Sequence, residues 1–80
     1  MDDTPIVHRI GELVDEEHHL EQSHGDRPLS AEEHERLREI EEHLDQCWDL
    51  LRQRRARRSA GQNPDEAKER PISVVEHYQQ

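Results

Sequence analysis

Ile6, Ile10, Leu13, Glu17, Leu20 and His24 follow one another at alternating spacings of four and three. That rhythm puts one side chain per turn on a single helical face and predicts the seam of a helical hairpin or coiled coil. Val7 and Val14 stand beside the seam and widen it. Thr4 followed by Pro5 reads as an N-cap with proline at the first helical position, where its missing N–H costs nothing. The first helix is therefore predicted over about residues 5–24. Gly11 interrupts it at a cost of about 1 kcal/mol relative to Ala, and either marks a close approach by another backbone or is tolerated at the surface.

Ser23 to Pro28 collects breaker residues, with Gly25 suited to a left-handed C-cap, so the chain is expected to turn there. Ser30-Ala31-Glu32-Glu33 has the form of a capping box and opens a second helix. Leu37, Ile40, Leu44, Cys47 and Leu51 repeat the four-three spacing, Trp48 and Leu50 flank it, and Gly61 is the expected stop. This second helix is predicted over about residues 31–60. In an antiparallel hairpin Leu20 lies near Leu37, Leu13 near Leu44 and Ile6 near Leu51. The widest apolar faces then fall at the open end, where one partner helix cannot cover them all, and the arginine-rich end of the second helix is expected to project past the first. Residues 1–61 form the hairpin and residues 62–80 a weakly helical tail. Within the tail, Asn63-Pro64-Asp65-Glu66 resembles a helix start running to about Arg70, and Pro71 stops it. Ser73-Val74-Val75-Glu76 is a second capping-box pattern, and Ile72, Val75 and Tyr78 are candidates to dock as a small patch.

Composition sharpens this all-α reading. Only 29% of the 80 residues are hydrophobic, none is Phe and 39% are charged, so the core is thin. An isolated hairpin of this size needs further burial. The expected assembly is a homodimer that forms a four-helix bundle through the open-end faces, with a docked tail as the alternative covering. The net charge of −9 argues against a general nucleic-acid binder. One block departs from that sign: residues 52–60 carry five arginines and no acid. The single Cys fits a reducing cytosol, and no apolar run near the N-terminus is long enough for a signal peptide or a membrane span. A cytoplasmic, membrane-free protein is the expectation.

The segment LDQCWDLLRQRRARR (Leu44 to Arg58), with LVDEEH upstream at Leu13 to His18, NPDEA at Asn63 to Ala67 and VEHY at Val75 to Tyr78, resembles the actinobacterial domain-of-unknown-function family 2630. The resemblance covers nearly the whole chain. It implies an actinobacterial origin and a free-standing cytoplasmic protein, and it brings no assigned activity to carry over to particular residues.

Five guanidinium groups at Arg52, Arg54, Arg55, Arg57 and Arg58 on about two turns could grip an acidic protein surface or phosphates bidentately. The plainer reading is that they complement the helix C-terminus and pair with Asp2, Asp3 or acids of a second subunit. Glu16 to His19 and Glu21 to His24 each have the Glu-x-x-His spacing, and a dimeric bundle with Glu41 of each second helix would supply a carboxylate-bridged di-metal set. Glutamate is so frequent in the chain that chance spacing is the stronger explanation, and solvated surface histidines are the expectation. Glu17 on the seam reads as a carboxylate reaching water or Arg38 rather than a general base. Cys47 reads as a structural thiol, since its neighbours Asp45 and Asp49 do not favour a thiolate. No nucleophile triad or Gly-rich phosphate loop can be assembled from these residues, so an enzyme is not expected and no cofactor is implied. The functional expectation is a small adaptor or regulator that binds another, unidentified protein through Trp48 and the five arginines. The competing classes are a metal-binding bundle and a nucleic-acid accessory factor.

Overall fold

The computed structural model describes residues 2–23, 25 and 27–78. They form helix α1 (Thr4–Ser23), helix α2 (Ala31–Ser59), a single 3-10 turn at Pro64–Glu66 and a short helix α3 (Ile72–Tyr78). Helix α1 begins one residue before its expected start, because the Asp3 carbonyl accepts from the amides of Ile6 at 3.1 Å and Val7 at 3.0 Å. The Thr4 amide is held by Asp2 Oδ1 at 3.0 Å. Helix α2 opens on the expected capping box: Ser30 Oγ accepts from the Glu33 amide at 3.1 Å, and Glu33 Oε1 accepts from the Ser30 amide at 2.9 Å. Arg27 reaches across the turn to the same carboxylate at 2.8 Å. His24 lies outside the described residues.

At its far end α2 stops at Gly61, as expected. The Gln62 amide donates to the Arg57 carbonyl at 2.7 Å and the Gly61 amide to the Arg58 carbonyl at 3.2 Å, a Schellman motif with Gly61 at a φ of 73°. The left-handed conformation turns the chain straight back along α2. Pro64–Glu66 makes only one 3-10 turn, capped by Asn63, and residues 67–70 are irregular rather than helical. Helix α3 starts at Ile72, so Ser73 lies inside it and is not its cap; the Pro71 carbonyl accepts from the amides of Val74 at 3.0 Å and Val75 at 3.2 Å.

Helices α1 and α2 run antiparallel: Asp3 meets Arg54 and Arg58, while Glu16 meets Arg36 near the start of α2. Ile6, Ile10 and Leu51 form the buried cluster, and Leu44, Cys47 and Leu50 pack against it half-exposed. Leu13, Ile40 and Val75 are fully buried. The burial of Val75 shows that the tail supplies core to the hairpin. The tail covering set out above as an alternative is thus present in the monomer. The Tyr78 side chain lies outside the described residues. Among the described residues there is no strand, and no helix is long and apolar enough to cross a membrane.

Candidate functional site

The side chains of α2 sort into three faces. Its seam, Ile40, Leu44, Cys47, Leu51, Arg54 and Arg58, looks at α1. In an antiparallel pair, residues that precede seam positions gather on one flank of the hairpin and residues that follow them gather on the other. Gln46, Leu50 and Gln53 belong to the preceding set, and this is the flank the tail occupies. Trp48, Arg52 and Arg55 belong to the following set, together with Val7 and Val14 of α1.

The tail flank is built from polar side chains that satisfy an irregular backbone. An extended segment without helix or sheet leaves its carbonyls to be paired from outside. Gln46 Nε2 donates to the Arg70 carbonyl at 3.2 Å and Gln53 Nε2 to the Lys68 carbonyl at 2.9 Å, while Arg54 Nη1 adds a second bond, at 3.2 Å, to the Pro64 carbonyl of the 3-10 turn, which already accepts from the Ala67 amide. Asp49 is buried, at 1% exposure, and its carboxylate is gripped by both ends of the Arg70 guanidinium, with Nε at 2.8 Å, and by Gln53 at 3.0 Å. The Arg70 cation beside it, joined by the Gln53 donor, holds the Asp49 carboxyl below the usual carboxylate range. A depression of about 430 Å³ borders this pair, lined by Asp49, Arg52, Gln53, Ala56 and Arg70.

The arginine block does not project past the packed region, which corrects the expectation from helix lengths. Arg54 is buried at 1% exposure between the two chain ends: its Nε donates to Asp3 Oδ1 at 2.6 Å and its Nη1 to Asp65 Oδ1 at 3.0 Å. Arg58 donates to both oxygens of Asp3, at 3.2 and 2.5 Å, and Arg57 to Glu66 at 3.4 Å. The reason is the return at Gly61, which brings Asp65 and Glu66 alongside the last turns of α2 while α1 presents Asp3 from the other side. Arg58 and Arg54 hold the Asp3 carboxyl down at about 2. The pairing with Asp3 considered above is therefore realised within one chain, and Asp65 and Glu66 complete it.

That leaves two arginines of the five facing outward. Arg52 is half-exposed and lies 3.9 Å from Asp49, whose oxygens are already taken, and Arg55 makes no ion pair with any described residue. They continue from Trp48, which is 47% exposed, on the flank shared with Val7 (55%) and Val14 (44%). Toward the hairpin turn the same face of α2 carries Asp45 and the exposed Glu41.

Within one chain the described candidate metal ligands do not come together. Glu16 is occupied by Arg36, through a bidentate pair with Nη2 at 2.7 Å, and His19, Glu21 and Glu41 are exposed on the surface. Among the described residues no three His, Cys, Asp or Glu side chains are placed to hold a metal ion. Glu17 is half-buried on the seam. Cys47 is half-exposed, and burial, reinforced by the charge of Glu69, pushes its thiol up, away from thiolate character.

Sequence reasoning missed Asp49 and Arg70. A signal was available: Gln46, Asp49 and Gln53 make a polar stripe through the most apolar part of α2, and a stripe of that kind suits a partner segment with unpaired carbonyls.

Comparison with known proteins agrees with the resemblance noted in the sequence. The family model described as "Protein of unknown function (DUF2630)" matches residues 2–80. Uncharacterised proteins of Mycobacterium bovis and of Mycobacterium tuberculosis are each 50% identical to the chain over 77 residues, covering 95% of this chain and 88% of the relative. No solved structure matches the chain significantly. With the family model and these relatives spanning almost its entire length, the chain belongs to the protein family of unknown function DUF2630.

Proposed function

We propose that the protein is a small interaction module that docks a partner protein along the open flank of its hairpin, with Trp48 as the anchor. The observation that carries this reading is the sorting of apolar side chains. In a chain with only 29% hydrophobic residues, Val75 is spent on covering one flank, while Trp48, Val7 and Val14 stay exposed together on the other. Large exposed side chains grouped on one surface and rimmed by charge mark interaction sites. Tryptophan and arginine are also the residues on which binding energy concentrates, since each offers a large flat contact with a polar edge. Arg52 and Arg55 would then select and orient the partner from the rim. Arg54, Arg57 and Arg58 are committed to the tail and to Asp3, so their part in the module is to hold its shape.

Photo-crosslinking in the cells of origin tests the reading. A photoreactive side chain at position 48 is expected to give discrete adducts, and one at the exposed Glu69 of the tail flank none. Equal labelling from both positions, or no adduct from position 48, would overturn it.

A further inference from the structure

We infer that the occupant of the open flank is a second copy of this chain, packed with its own open flank against the first about a two-fold axis that passes near Trp48 and Gly11. The inference rests on reading that flank as an interface and names what fills it.

The charge order along α2 carries the argument. On the open face the helix presents Glu41, Asp45, Trp48, Arg52 and Arg55 at spacings of four, three, four and three. Read from the other end, acid and base exchange places about Trp48. A second α2 lying antiparallel over the first therefore sets Arg52 against the partner's Asp45 and Arg55 against the partner's Glu41, with the two indoles at the axis. Each contact occurs twice, as an isologous interface requires. Glu41, Asp45 and Arg55 make no ion pair with any described residue, and the half-exposed Arg52 stands at the border of the two flanks, 3.9 Å from Asp49 at the edge of the tail-side depression, with Asp49 already held by Arg70.

Helix α1 has the same property at the same height. Val7, Gly11 and Val14 form its open-face stripe, again at spacings of four and three. Ile6 and Ile10 pack with Leu51, so Gly11 lies alongside the Trp48 region of α2. The rotation that superposes the α2 stripes sets Val7 over the partner's Val14 and brings the two Gly11 positions together. A Cβ at Gly11 would meet nothing within 4 Å in the monomer, so the fold of one chain gives no reason for glycine there. A helix crossing at that point does, because the missing side chain lets two backbones approach. The result is a four-helix bundle whose tails lie on its two outer flanks, clear of the interface.

An engineered charge swap tests this with the full chain. Asp45→Arg alone sets Arg against the partner's Arg52, and Arg52→Glu alone sets Glu against the partner's Asp45. Each single variant is expected to weaken self-association roughly tenfold or more by sedimentation equilibrium, with its helical circular dichroism unchanged. Mixing the two variants restores both pairs and is expected to give a heterodimer with the wild-type association constant, as is the double variant with itself. If the single variants associate as well as wild type, or the mixture stays monomeric, the proposed register is wrong. If wild type itself remains monomeric at micromolar concentration, the second copy is not the occupant. The crosslink from position 48 then separates the two readings. An adduct of twice the 9.6 kDa chain mass supports self-pairing, adducts only with other proteins overturn it while leaving the docking flank standing, and no adduct overturns both.

Discussion

Asp3 and Arg54, separated by 51 positions, are joined by a 2.6 Å hydrogen bond that ties the head of α1 to the far end of α2. The same guanidinium reaches forward to Asp65 and to the Pro64 carbonyl, so one buried cation fixes the start of the hairpin, its last turns and the returning tail. Removing it would cut the direct link between Asp3 and the Pro64–Asp65 turn, leaving Asp3 to Arg58 and the Pro64 carbonyl to the Ala67 amide. Arg54→Ala is expected to lower the thermal midpoint by several degrees and to loosen the tail, because it empties a buried position and removes the hydrogen bonds that tie Asp3 to the returning tail. Arg55→Ala, one position along on the open flank, should leave the stability of the monomer within about 0.5 kcal/mol of wild type. Thermal unfolding followed by circular dichroism at a dilution where the chain is monomeric checks the contrast.

Chemical footprinting reads the same sorting without mutation. At a dilution where the chain is monomeric, phenylglyoxal is expected to modify Arg52 and Arg55 readily and to leave Arg54, which is buried within the single chain, protected until the protein unfolds. Equal labelling of all three, measured by peptide mass spectrometry, would show that the block projects into solvent after all.

Carboxylates held by arginines make stability fall in acid. Arg58 and Arg54 hold Asp3 down at about 2, the Arg27 guanidinium and the Ser30 amide hold Glu33 at about 2, and Arg70 and Arg36 lower Asp49 and Glu16. The folded-state value lies below the unfolded one in each case. The stabilisation is therefore fully present above the ordinary carboxylate range and is lost as pH falls toward about 2. Helical circular dichroism during an acid titration should show the tail and hairpin loosening across that window. In Asp3→Asn the protein should be less stable at neutral pH and should lose less of its remaining stability on acidification.

The tail contributes core as well as hydrogen bonds. Val75 is fully buried, whereas its neighbour Val74 is 43% exposed. Val75→Ala is expected to cost about 2 kcal/mol, and Val74→Ala about 0.5 kcal/mol or less. Amide hydrogen exchange in α3 should speed up in the first variant only.

Spacing made the two long helices legible. Ser30 with Glu33 and Gly61 marked where α2 begins and ends, because capping chemistry is local and needs only neighbouring residues. The destination of the arginines was not legible in the same way. Arg54 and Arg55 are identical side chains one position apart, and which of them is buried depends on Asp3 and Asp65, which only the folded chain brings within reach. Helix lengths alone suggested a projecting end, since they carry no information about where the chain goes after Gly61. Asp49 was overlooked for a related reason: a single acid among Trp48, Leu50 and Leu51 looks like a surface residue until Arg70 is placed on it. The open flank, by contrast, follows from spacing once the tail has been assigned to the other side.

If a second copy of the chain covers the flank bearing Trp48, the indole is shielded in the dimer and bared on dilution. As the only tryptophan, Trp48 reports this directly through quenching of its fluorescence by acrylamide over a dilution series. The expected result is weak quenching at high protein concentration that rises on dilution, in step with the loss of dimer by sedimentation. Quenching that stays at the level of a half-exposed indole at every concentration would contradict it.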